Sequence, residues 1–215
     1  MILRIIIAAS VVVVGIILII EILARAYTYF VKPFPVPPFF TSLINNPLRR
    51  VVQSPAKLMA LADIRAGMRV LEVGPGAGTY TVPTARAVGP AGRVIACDLQ
   101  AGVIKRLNKV LARSGVANVD AAVASAFELA APAASQDRVF MVTVLGEVPD
   151  KGRALAEVVR VLKPGGLFAA DELWVDPHYC RRASLTRWCR EAGLEPAGTF
   201  DRFIRNISVF RKAGG

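Results

Sequence analysis

A glycine-rich turn at the end of a short apolar strand constrains the fold of this chain more than any other feature. The stretch 70–78 reads VLEVGPGAG, with three glycines at alternate positions, and a helix is predicted from Thr79 to Val88. Backbone without side chains allows a ligand to approach closely. Because a strand, a glycine turn and a helix open the nucleotide-binding βαβ unit, the stretch predicts an α/β sheet with a ligand site at this turn.

Strands and helices continue to alternate along the rest of the chain. Residues 138–144 are apolar on both faces, as expected of a central strand. The pattern predicts an open, mainly parallel, doubly wound sheet with helices on both faces. Ser54 is predicted to cap the first helix, and Pro164 to Gly166 to end the helix before the fifth strand. The predicted strands are 69–73, 93–97, 119–124, 138–144, 167–173, 200–203 and 207–210, and the other helices are 56–61, 102–113, 151–162 and 180–192.

Two carboxylates stand at informative distances from the glycine turn. Asp98 ends the next strand, twenty residues after Gly78, where a carboxylate accepts both hydroxyls of a ribose. A dinucleotide fingerprint would need glycine where Thr79 stands. Glu72 suits a cationic ligand and repels a pyrophosphate. The charges therefore favour the sulfonium and ammonium groups of S-adenosylmethionine over a dinucleotide such as NAD.

The composition of the chain excludes some classes of protein. Its 215 residues are 54% hydrophobic and 20% charged, which rules out global disorder and fits one domain with an appendage. The net charge of +11 predicts anionic surroundings. No stacking-aromatic module supports nucleic-acid binding, so a membrane face is favoured. Three widely separated cysteines and a single histidine predict no metal site and reduced, structural thiols.

Most of the hydrophobic excess lies at the amino terminus. Residues 2–20 contain one charge, Arg4, and as a helix they would span about 28 Å, close to the hydrocarbon core of a bilayer. A cleaved signal peptide is the alternative, because residues 24–26 resemble a cleavage site, but the apolar run is long for one. We predict a single transmembrane helix, and the larger positive charge on its carboxyl side predicts that the rest of the chain faces the cytoplasm.

These patterns divide the chain into an anchor at 1–26, a linker at 27–53 and a globular domain at 54–215. The linker contains four prolines within 33–38, and its aromatic residues either lie in the headgroup zone or pack on the domain. Residues 181–212 contain eight basic and three acidic residues. They form either a solvated face or a surface drawn to anionic lipid.

Three motifs of the globular domain match a known family. They are VLEVGPGAG at 70–78, IACDL at 95–99 and LKPGGLF at 162–168. With them, residues 54–212 resemble a class I S-adenosylmethionine-dependent methyltransferase. The segment at 148–166 is most similar to the ubiquinone- and menaquinone-biosynthesis-like branch, which also includes sterol and phospholipid methylators. The resemblance implies a Rossmann-like, seven-stranded sheet of order 3-2-1-4-5-7-6 with strand seven antiparallel.

The resemblance also implies how S-adenosylmethionine is held. The glutamate and the glycine turn would line its methionine and ribose end, the aspartate would take the ribose hydroxyls, and the residue after it would pack beside the adenine. In this chain those residues are Glu72, Gly74, Pro75, Gly76, Gly78, Asp98 and Leu99.

The chain departs from the family pattern in two places. After strand three the family usually carries an acidic residue that contacts the adenine amino group. Here Ser125, Ala126 and Phe127 stand, so that contact is weaker or is made by backbone and Phe127. After strand four many relatives carry histidines before a Val-Pro-Asp. Here Gly146 and Glu147 stand at that place, so the chain has no catalytic histidine there.

Methyl transfer from a sulfonium is an in-line displacement, in which proximity and alignment supply much of the acceleration. A base is needed only where the acceptor must lose a proton. Glu147 could hold an ammonium group or accept a proton, and His178 could act as a base near neutral pH. Each candidate could equally be an ordinary loop residue. The candidates at the predicted strand ends are Glu147, Asp171, His178 and Tyr179.

Together these features predict a single-pass membrane enzyme that methylates a hydrophobic or lipid-borne acceptor, either a phospholipid amine or an isoprenoid quinone. One alternative is a methyltransferase of a soluble small molecule or a protein, for which the anchor only sets the location. A further alternative is an inactive, membrane-tethered scaffold, although Glu72 and Asp98 would then be unneeded. The sequence leaves the oligomeric state open.

Overall fold

The computed structural model describes Gly15, residues 53–174 and residues 176–214. The predicted anchor and linker lie outside these residues, apart from Gly15 and Gln53. Among the described residues, no helix combines the length and the apolar composition needed to cross a bilayer. The anchor at residues 2–20 therefore stays a prediction.

Strands and helices alternate along the globular domain as the sequence predicts. The strands are β1 (Arg69–Val73), β2 (Arg93–Asp98), β3 (Val119–Val123), β4 (Gln136–Val142), β5 (Leu162–Leu173), β6 (Leu194–Arg202) and β7 (Arg205–Lys212). The helices are α1 (Pro55–Leu61), α2 (Thr81–Val88), α3 (Ala101–Ser114), α4 (Lys151–Val161) and α5 (Arg182–Glu191), and a 3-10 turn spans Leu145–Glu147.

All seven strands join one sheet in the order β3-β2-β1-β4-β5-β7-β6, which confirms the order implied by the resemblance. Strands β1 to β5 are parallel, and β7 runs antiparallel to both β5 and β6. The carboxyl ends of β1 to β5 therefore meet at one side of the sheet, which we call the carboxyl edge. Because Leu173 pairs with Arg205, the β6–β7 hairpin also turns at this edge.

The core lies on both faces of the sheet, since successive residues of a strand point to opposite sides. One face, which includes Leu71 and Phe168, packs with buried residues of α4 and α5. The other face, which includes Val70 and Phe140, packs with buried residues of α1 and α2. Two adjacent residues near the end of a strand, such as Asp171 and Glu172 of β5, are therefore directed into different environments.

Several predicted boundaries differ from the structure. Helix α4 ends at Val161, and β5 begins at once with Leu162, so the Pro164–Gly166 segment lies inside the strand. A proline favours extended backbone before it, and a register shift opposite residues 136–138 accommodates the irregular start of β5. Ser54 has extended backbone at the start of α1, but its side chain makes no capping hydrogen bond among the described residues. Strand β6 starts at Leu194 because its register shift at 196–198 absorbs a proline and a glycine.

Candidate functional site

The glycine turn is closed on one side by the protein and open on the other. The Gly74 amide donates to the Cys97 carbonyl oxygen at 2.8 Å, which ties the turn to β2. A Cβ on Gly74 would lie 2.3 Å from Cγ2 of Val144. Gly76 has a φ of +54°, and a Cβ there would meet nothing within 4 Å among the described residues. The turn, completed by a Gly78 amide that donates to the Pro75 carbonyl oxygen, therefore offers bare backbone to a ligand at the carboxyl edge.

Glu72 lies buried next to this turn. Its side chain is 2% exposed, and its Oε2 has no hydrogen-bond partner among the described residues. Burial raises the pKa of Glu72 to about 8, and the Thr81 hydroxyl offsets part of this rise. An unsatisfied buried carboxyl is costly unless a donor or a cation approaches it. Glu72 therefore fits a ligand that brings positive charge to the turn, as the sequence predicts.

The ends of β2 and β3 provide a carboxylate and an apolar surface. Asp98 is partly buried, and its Oδ1 accepts a hydrogen bond from the Gln100 amide at 2.8 Å. A carboxylate has further lone pairs, so Asp98 keeps acceptor capacity for the hydroxyls of a ribose. Leu99 and Val123 are 61% and 57% exposed. Leu99 follows β2 and Val123 ends β3, which pairs with β2, so the two side chains could flank a planar ring. Val123 was missed from the sequence, although its position at a strand end was a usable signal.

The segment after β3 brings together the three residues predicted beside the adenine. Ser125 Oγ accepts a hydrogen bond from the Phe127 amide at 3.1 Å. The Arg153 guanidinium carbon lies 4.8 Å from the centre of the Phe127 ring, and Ala126 packs against the core. The Ser125 hydroxyl is thus engaged in a local turn. Its role toward a ligand, like those of Ala126 and Phe127, stays a prediction.

These residues and the sheet order define a class of protein. An open glycine turn, an unsatisfied buried glutamate and an aspartate at the end of the neighbouring strand fit the sulfonium, ammonium and ribose groups of one cofactor. The sheet order and this site are those expected of a class I S-adenosylmethionine-dependent methyltransferase domain, and S-adenosylmethionine is the cofactor that fits the site.

Comparison with known proteins agrees with this class. Residues 70–166 match the methyltransferase domain family. The chain is 40% identical over 106 residues to the ubiquinone/menaquinone biosynthesis C-methyltransferase UbiE of Marinomonas sp. (strain MWYL1), a match that covers 49% of this chain and 42% of that protein. It is 38% identical over 106 residues to UbiE of Hahella chejuensis, covering 49% and 43%. The chain thus spans less than half the length of these relatives.

Solved structures share the fold at low sequence identity. A SAM-dependent methyltransferase from Aquifex aeolicus superposes with a TM-score of 0.79 and 21% identity, over 83% of this chain and 100% of that one. The [4+2]-cyclase SpnF superposes with a TM-score of 0.67 and 18% identity, over 75% and 80%. Since a protein named as a cyclase has this fold, the fold alone does not fix the reaction.

A second group of polar residues lies at the carboxyl edge beyond β4. Thr143 has a φ of +51° and donates its amide to the Asp171 carbonyl oxygen at 2.9 Å. A β-branched residue rarely adopts this conformation, and such backbone outliers cluster at functional sites. The bend leads to Gly146, where a Cβ would lie 1.8 Å from the His178 carbonyl oxygen. Glycine at this position therefore lets the loop after β5, with the chain's single histidine, pack directly against the loop after β4.

Two buried polar atoms of this group lack partners among the described residues, namely Nε2 of His178 and Oε1 of Glu172. The His178 amide donates to Asp176 Oδ1 at 2.9 Å, and burial lowers the pKa of its imidazole. Burial also raises the pKa of Glu172 well above its usual range, and Asp176 and Glu147 add to this rise. Burial therefore favours the neutral form of both side chains, the imidazole and the carboxyl. No pattern in the sequence marks Glu172 as a site residue.

Lys151 and the two remaining predicted residues complete the group. The Lys151 Nζ donates to the carbonyl oxygens of Gly146 and Val148 at 3.2 and 2.5 Å, and burial lowers its pKa. Glu147 lies in the 3-10 turn and is partly buried. Tyr179 is partly buried, and burial followed by the charge of Glu172 raises its pKa. Lys151 thus holds the loop after β4, while the roles of Glu147 and Tyr179 stay predictions.

Asp171 has a different environment from the other predicted catalytic residues. Its carboxylate is fully buried and accepts hydrogen bonds from Arg205 Nε at 2.9 Å and Arg205 Nη2 at 2.6 Å. The Tyr80 hydroxyl lies 3.0 Å from Asp171 Oδ2. The strand alternation turns Asp171 to the face opposite Glu172. Because this carboxylate already serves a buried ion pair, we assign it a structural role instead of the catalytic role predicted from the sequence.

Proposed function

We propose that this chain is a membrane-anchored methyltransferase that C-methylates a prenylated hydroquinone or a related hydrophobic ring acceptor. The observation that carries the proposal is the position of two buried polar atoms, His178 Nε2 and Glu172 Oε1, which have no hydrogen-bond partner in the described part of the chain and lie next to the cofactor site. Val144 lies between the glycine turn and these two atoms. Its side chain packs on Gly74, and two residues later Gly146 contacts the His178 backbone.

The residues at the glycine turn and at the end of β2 would bind and orient the cofactor. Glu72 and the glycine turn would hold the positively charged methionine end, and Asp98 would hold the ribose. S-adenosylmethionine supplies, when bound, an electrophilic methyl group on a sulfonium. The protein therefore needs to bring the acceptor atom into line and to activate it.

His178 and Glu172 supply this activation in the proposal. The neutral His178 Nε2 accepts the proton of a ring hydroxyl, which raises the electron density of the adjacent ring carbon. That carbon would take the methyl group as the bond between the methyl carbon and the sulfonium sulfur breaks. Its own proton would then leave to water, which restores the aromatic ring, and His178 would return its proton to the ring oxygen. The protonated Glu172 donates a hydrogen bond to the second ring oxygen. A hydroquinone has two such oxygens, so it would satisfy both buried atoms at once.

The relatives support this acceptor class, because the two compared above are named as ubiquinone/menaquinone biosynthesis C-methyltransferases. A phospholipid amine is the second candidate, because Glu147 and Asp176 place carboxyl groups around the same loops and could hold an ammonium group. Both acceptors are membrane-borne, in keeping with the apolar segment at 2–20. The predicted cytoplasmic orientation of the domain belongs to the same proposal.

The test uses the full chain reconstituted in phospholipid vesicles with radiolabelled S-adenosylmethionine. One arm contains a prenylated hydroquinone that lacks a ring methyl, one contains phosphatidylethanolamine, and one contains the same ring without the prenyl tail. The proposal predicts label in the prenylated ring. Label in phosphatidylethanolamine alone would show that the acceptor is a phospholipid amine and not a hydroquinone. Label only in the tail-less ring would favour a soluble substrate. Failure to bind the cofactor would leave the scaffold alternative.

Variants assign the roles within this assay. His178→Gln is expected to lower kcat by about 100-fold or more, because a positioned base contributes that order of rate acceleration, while cofactor affinity stays unchanged. Glu172→Gln keeps a neutral donor and is expected to retain more activity than Glu172→Ala. Glu195→Gln is the matched control, since Glu195 is exposed at the start of β6, away from the carboxyl edge. Unchanged kcat in His178→Gln would contradict the assignment of the base.

A further inference from the structure

Four large apolar side chains are exposed among the described residues: Leu99, Val123, Trp174 and Phe203. The first two flank the cofactor site. Trp174 follows β5 and is 58% exposed, and Phe203 lies at the tip of the β6–β7 hairpin and is fully exposed. Phe203 also has a φ of +40°, a strained conformation for an aromatic residue. Neither burial nor backbone preference in the described fold explains an aromatic residue at this tip.

Trp174 and Phe203 belong to one surface. The Trp174 amide donates to the carbonyl oxygen of Ile204 at 2.8 Å, so the backbone after β5 adjoins the hairpin tip. We call Trp174 and Phe203 the aromatic tip. It lies at the carboxyl edge, on the same side of the sheet as Glu172 near the end of β5 and the loop that contains His178.

The amino-terminal segment joins the domain beside the aromatic tip. The Ser54 carbonyl oxygen accepts a hydrogen bond from Arg205 Nη2 at 3.0 Å, and the Gln53 carbonyl oxygen lies 3.0 Å from the Tyr80 hydroxyl. Arg205 is two residues after Phe203 and pairs with Leu173, which precedes Trp174. The segment predicted to cross the bilayer is thus connected to the domain where these two aromatic side chains are exposed.

The charge around the aromatic tip is mainly positive. Arg202 precedes Phe203 and is exposed, and Arg181 is exposed at the start of α5. Arg182 forms an ion pair with Asp201 at 2.6 Å, which fastens α5 to the hairpin. Exposed aromatic residues flanked by arginines suit the headgroup zone of an anionic membrane, where the ring is partly buried and the cations meet lipid phosphates.

We propose that the aromatic tip inserts into the surface of an anionic bilayer and holds the carboxyl edge of the sheet against the membrane. A membrane-borne acceptor could then reach the site without crossing water. The inference rests on the membrane location in the proposed function, but it does not depend on the acceptor or on catalysis. The occupant is the lipid surface, and the chain's own residues 27–52 or a second protein are the alternatives for the test.

The experiment uses the full chain in vesicles that contain dibrominated phosphatidylcholine, whose bromine atoms quench nearby tryptophan emission. The chain has two tryptophans, Trp174 and Trp188. Trp188 is partly buried on α5, six residues or about 9 Å along the helix from Arg182. Trp188→Phe therefore leaves Trp174 as the only emitter, and Trp174→Phe gives the reciprocal control. The vesicles contain about one third phosphatidylglycerol, since basic residues favour an anionic surface.

The proposal predicts that Trp174 loses much of its emission in brominated vesicles and that Trp188 loses little, as expected for a Trp174 ring inserted at the membrane surface. Phe203→Asp should abolish most of the Trp174 quenching, although the predicted anchor still tethers the chain. Phe203→Gly should also reduce quenching while it raises thermal stability, because glycine relieves the strained φ. S-adenosylmethionine binding should stay unchanged in all of these variants, which separates this proposal from the proposed function.

Three results would overturn the proposal. Trp174 emission that is not quenched would show that Trp174 does not contact lipid. Equal quenching in Phe203→Asp would show that the hairpin does not insert. Blue-shifted Trp174 emission without quenching would assign the aromatic tip to residues 27–52 of the same chain or to a protein partner.

Discussion

The cofactor half of the domain, β1 to β3 with α2 and α3, differs from the acceptor half, β4 to β7 with α4 and α5, in how its functional groups are encoded. The cofactor half places Glu72, the glycine turn and Asp98 within a single βαβ unit. The acceptor half brings Gly146, Glu172 and His178 together from three separate segments. A compact sequence motif therefore indicates the cofactor, whereas the proposed acceptor site depends on tertiary packing.

The two halves also differ in the burial of their ion pairs. Arg93 and Asp120 of the cofactor half form a two-pronged pair on the surface, with side chains about half exposed. Asp171 and Arg205 of the acceptor half form a two-pronged pair whose side chains are 0% and 3% exposed. The similar geometry in two environments makes these pairs a direct test of what burial changes.

The largest effect on stability is expected from Arg205→Met. This substitution leaves the Asp171 carboxylate buried without its cation, which typically costs about 3–5 kcal/mol of unfolding free energy. Urea denaturation of the full chain in detergent measures it. The double variant Asp171→Leu with Arg205→Met should recover most of the loss, because it removes both buried charges. A loss below about 1 kcal/mol in the single variant would contradict the structural role given to Asp171.

Asp98→Ala should produce the largest effect on cofactor binding. Loss of hydrogen bonds from the ribose hydroxyls to a carboxylate is expected to weaken S-adenosylmethionine binding by about 100-fold, as calorimetry would measure. Asp120→Ala is the matched control, because Asp120 is an exposed aspartate of the adjacent strand β3. Equal affinities of the Asp98→Ala and wild-type chains would show that Asp98 does not bind the ribose.

The pH dependence of Glu72→Gln sharpens the comparison within the cofactor half. Folding raises the pKa of Glu72 from 4.5 to about 8, so the folded chain retains a proton that the unfolded chain loses. The stabilising contribution is fully present below pH 4.5 and is lost as the pH rises through about 8. The stability of the wild type relative to Glu72→Gln should therefore fall across this range. A difference that is constant with pH would contradict the burial argument.

Ligand binding should show the opposite trend for the same residue. The ionised form of Glu72 attracts a cation, so wild-type affinity for S-adenosylmethionine should rise as the pH approaches about 8. Affinity of Glu72→Gln should be lower and nearly independent of pH over that range. A wild-type affinity that falls with increasing pH would indicate that the carboxyl does not face the positive groups of the ligand.

The smallest effect is expected from Arg93→Met. Exposed ion pairs contribute little, even with good geometry, because water screens them. The thermal midpoint should match that of the wild type, in contrast to Arg205→Met. A destabilisation comparable to that of Arg205→Met would show that burial is not what separates the two pairs.

The sequence predicted the sheet and the cofactor half because both follow from local patterns. Strand–helix alternation determined the element order, and the spacing from Gly78 to Asp98 indicated the ribose carboxylate. The acceptor half was less predictable because strand alternation places Asp171 and Glu172 on opposite faces, and the sequence did not indicate which face holds an ion pair. The packing of Gly146 against His178 joins residues 32 positions apart in the chain, and no local pattern encodes such a contact.

The match to the family model covers the cofactor half and only part of the acceptor half. The match to the methyltransferase domain family ends at residue 166, near the start of β5. Glu172, His178 and the aromatic tip all lie beyond it. The residues proposed to contact the acceptor and the membrane therefore lie beyond the part of the chain that the family model matches.

The most direct test of the account is calorimetric titration of the detergent-solubilised full chain with S-adenosylmethionine and, separately, with NAD. We expect saturable binding of S-adenosylmethionine, weakened by Asp98→Ala, and no binding of NAD, because a pyrophosphate brings no positive charge to the buried Glu72 carboxyl. Binding of NAD without binding of S-adenosylmethionine would contradict the central claim.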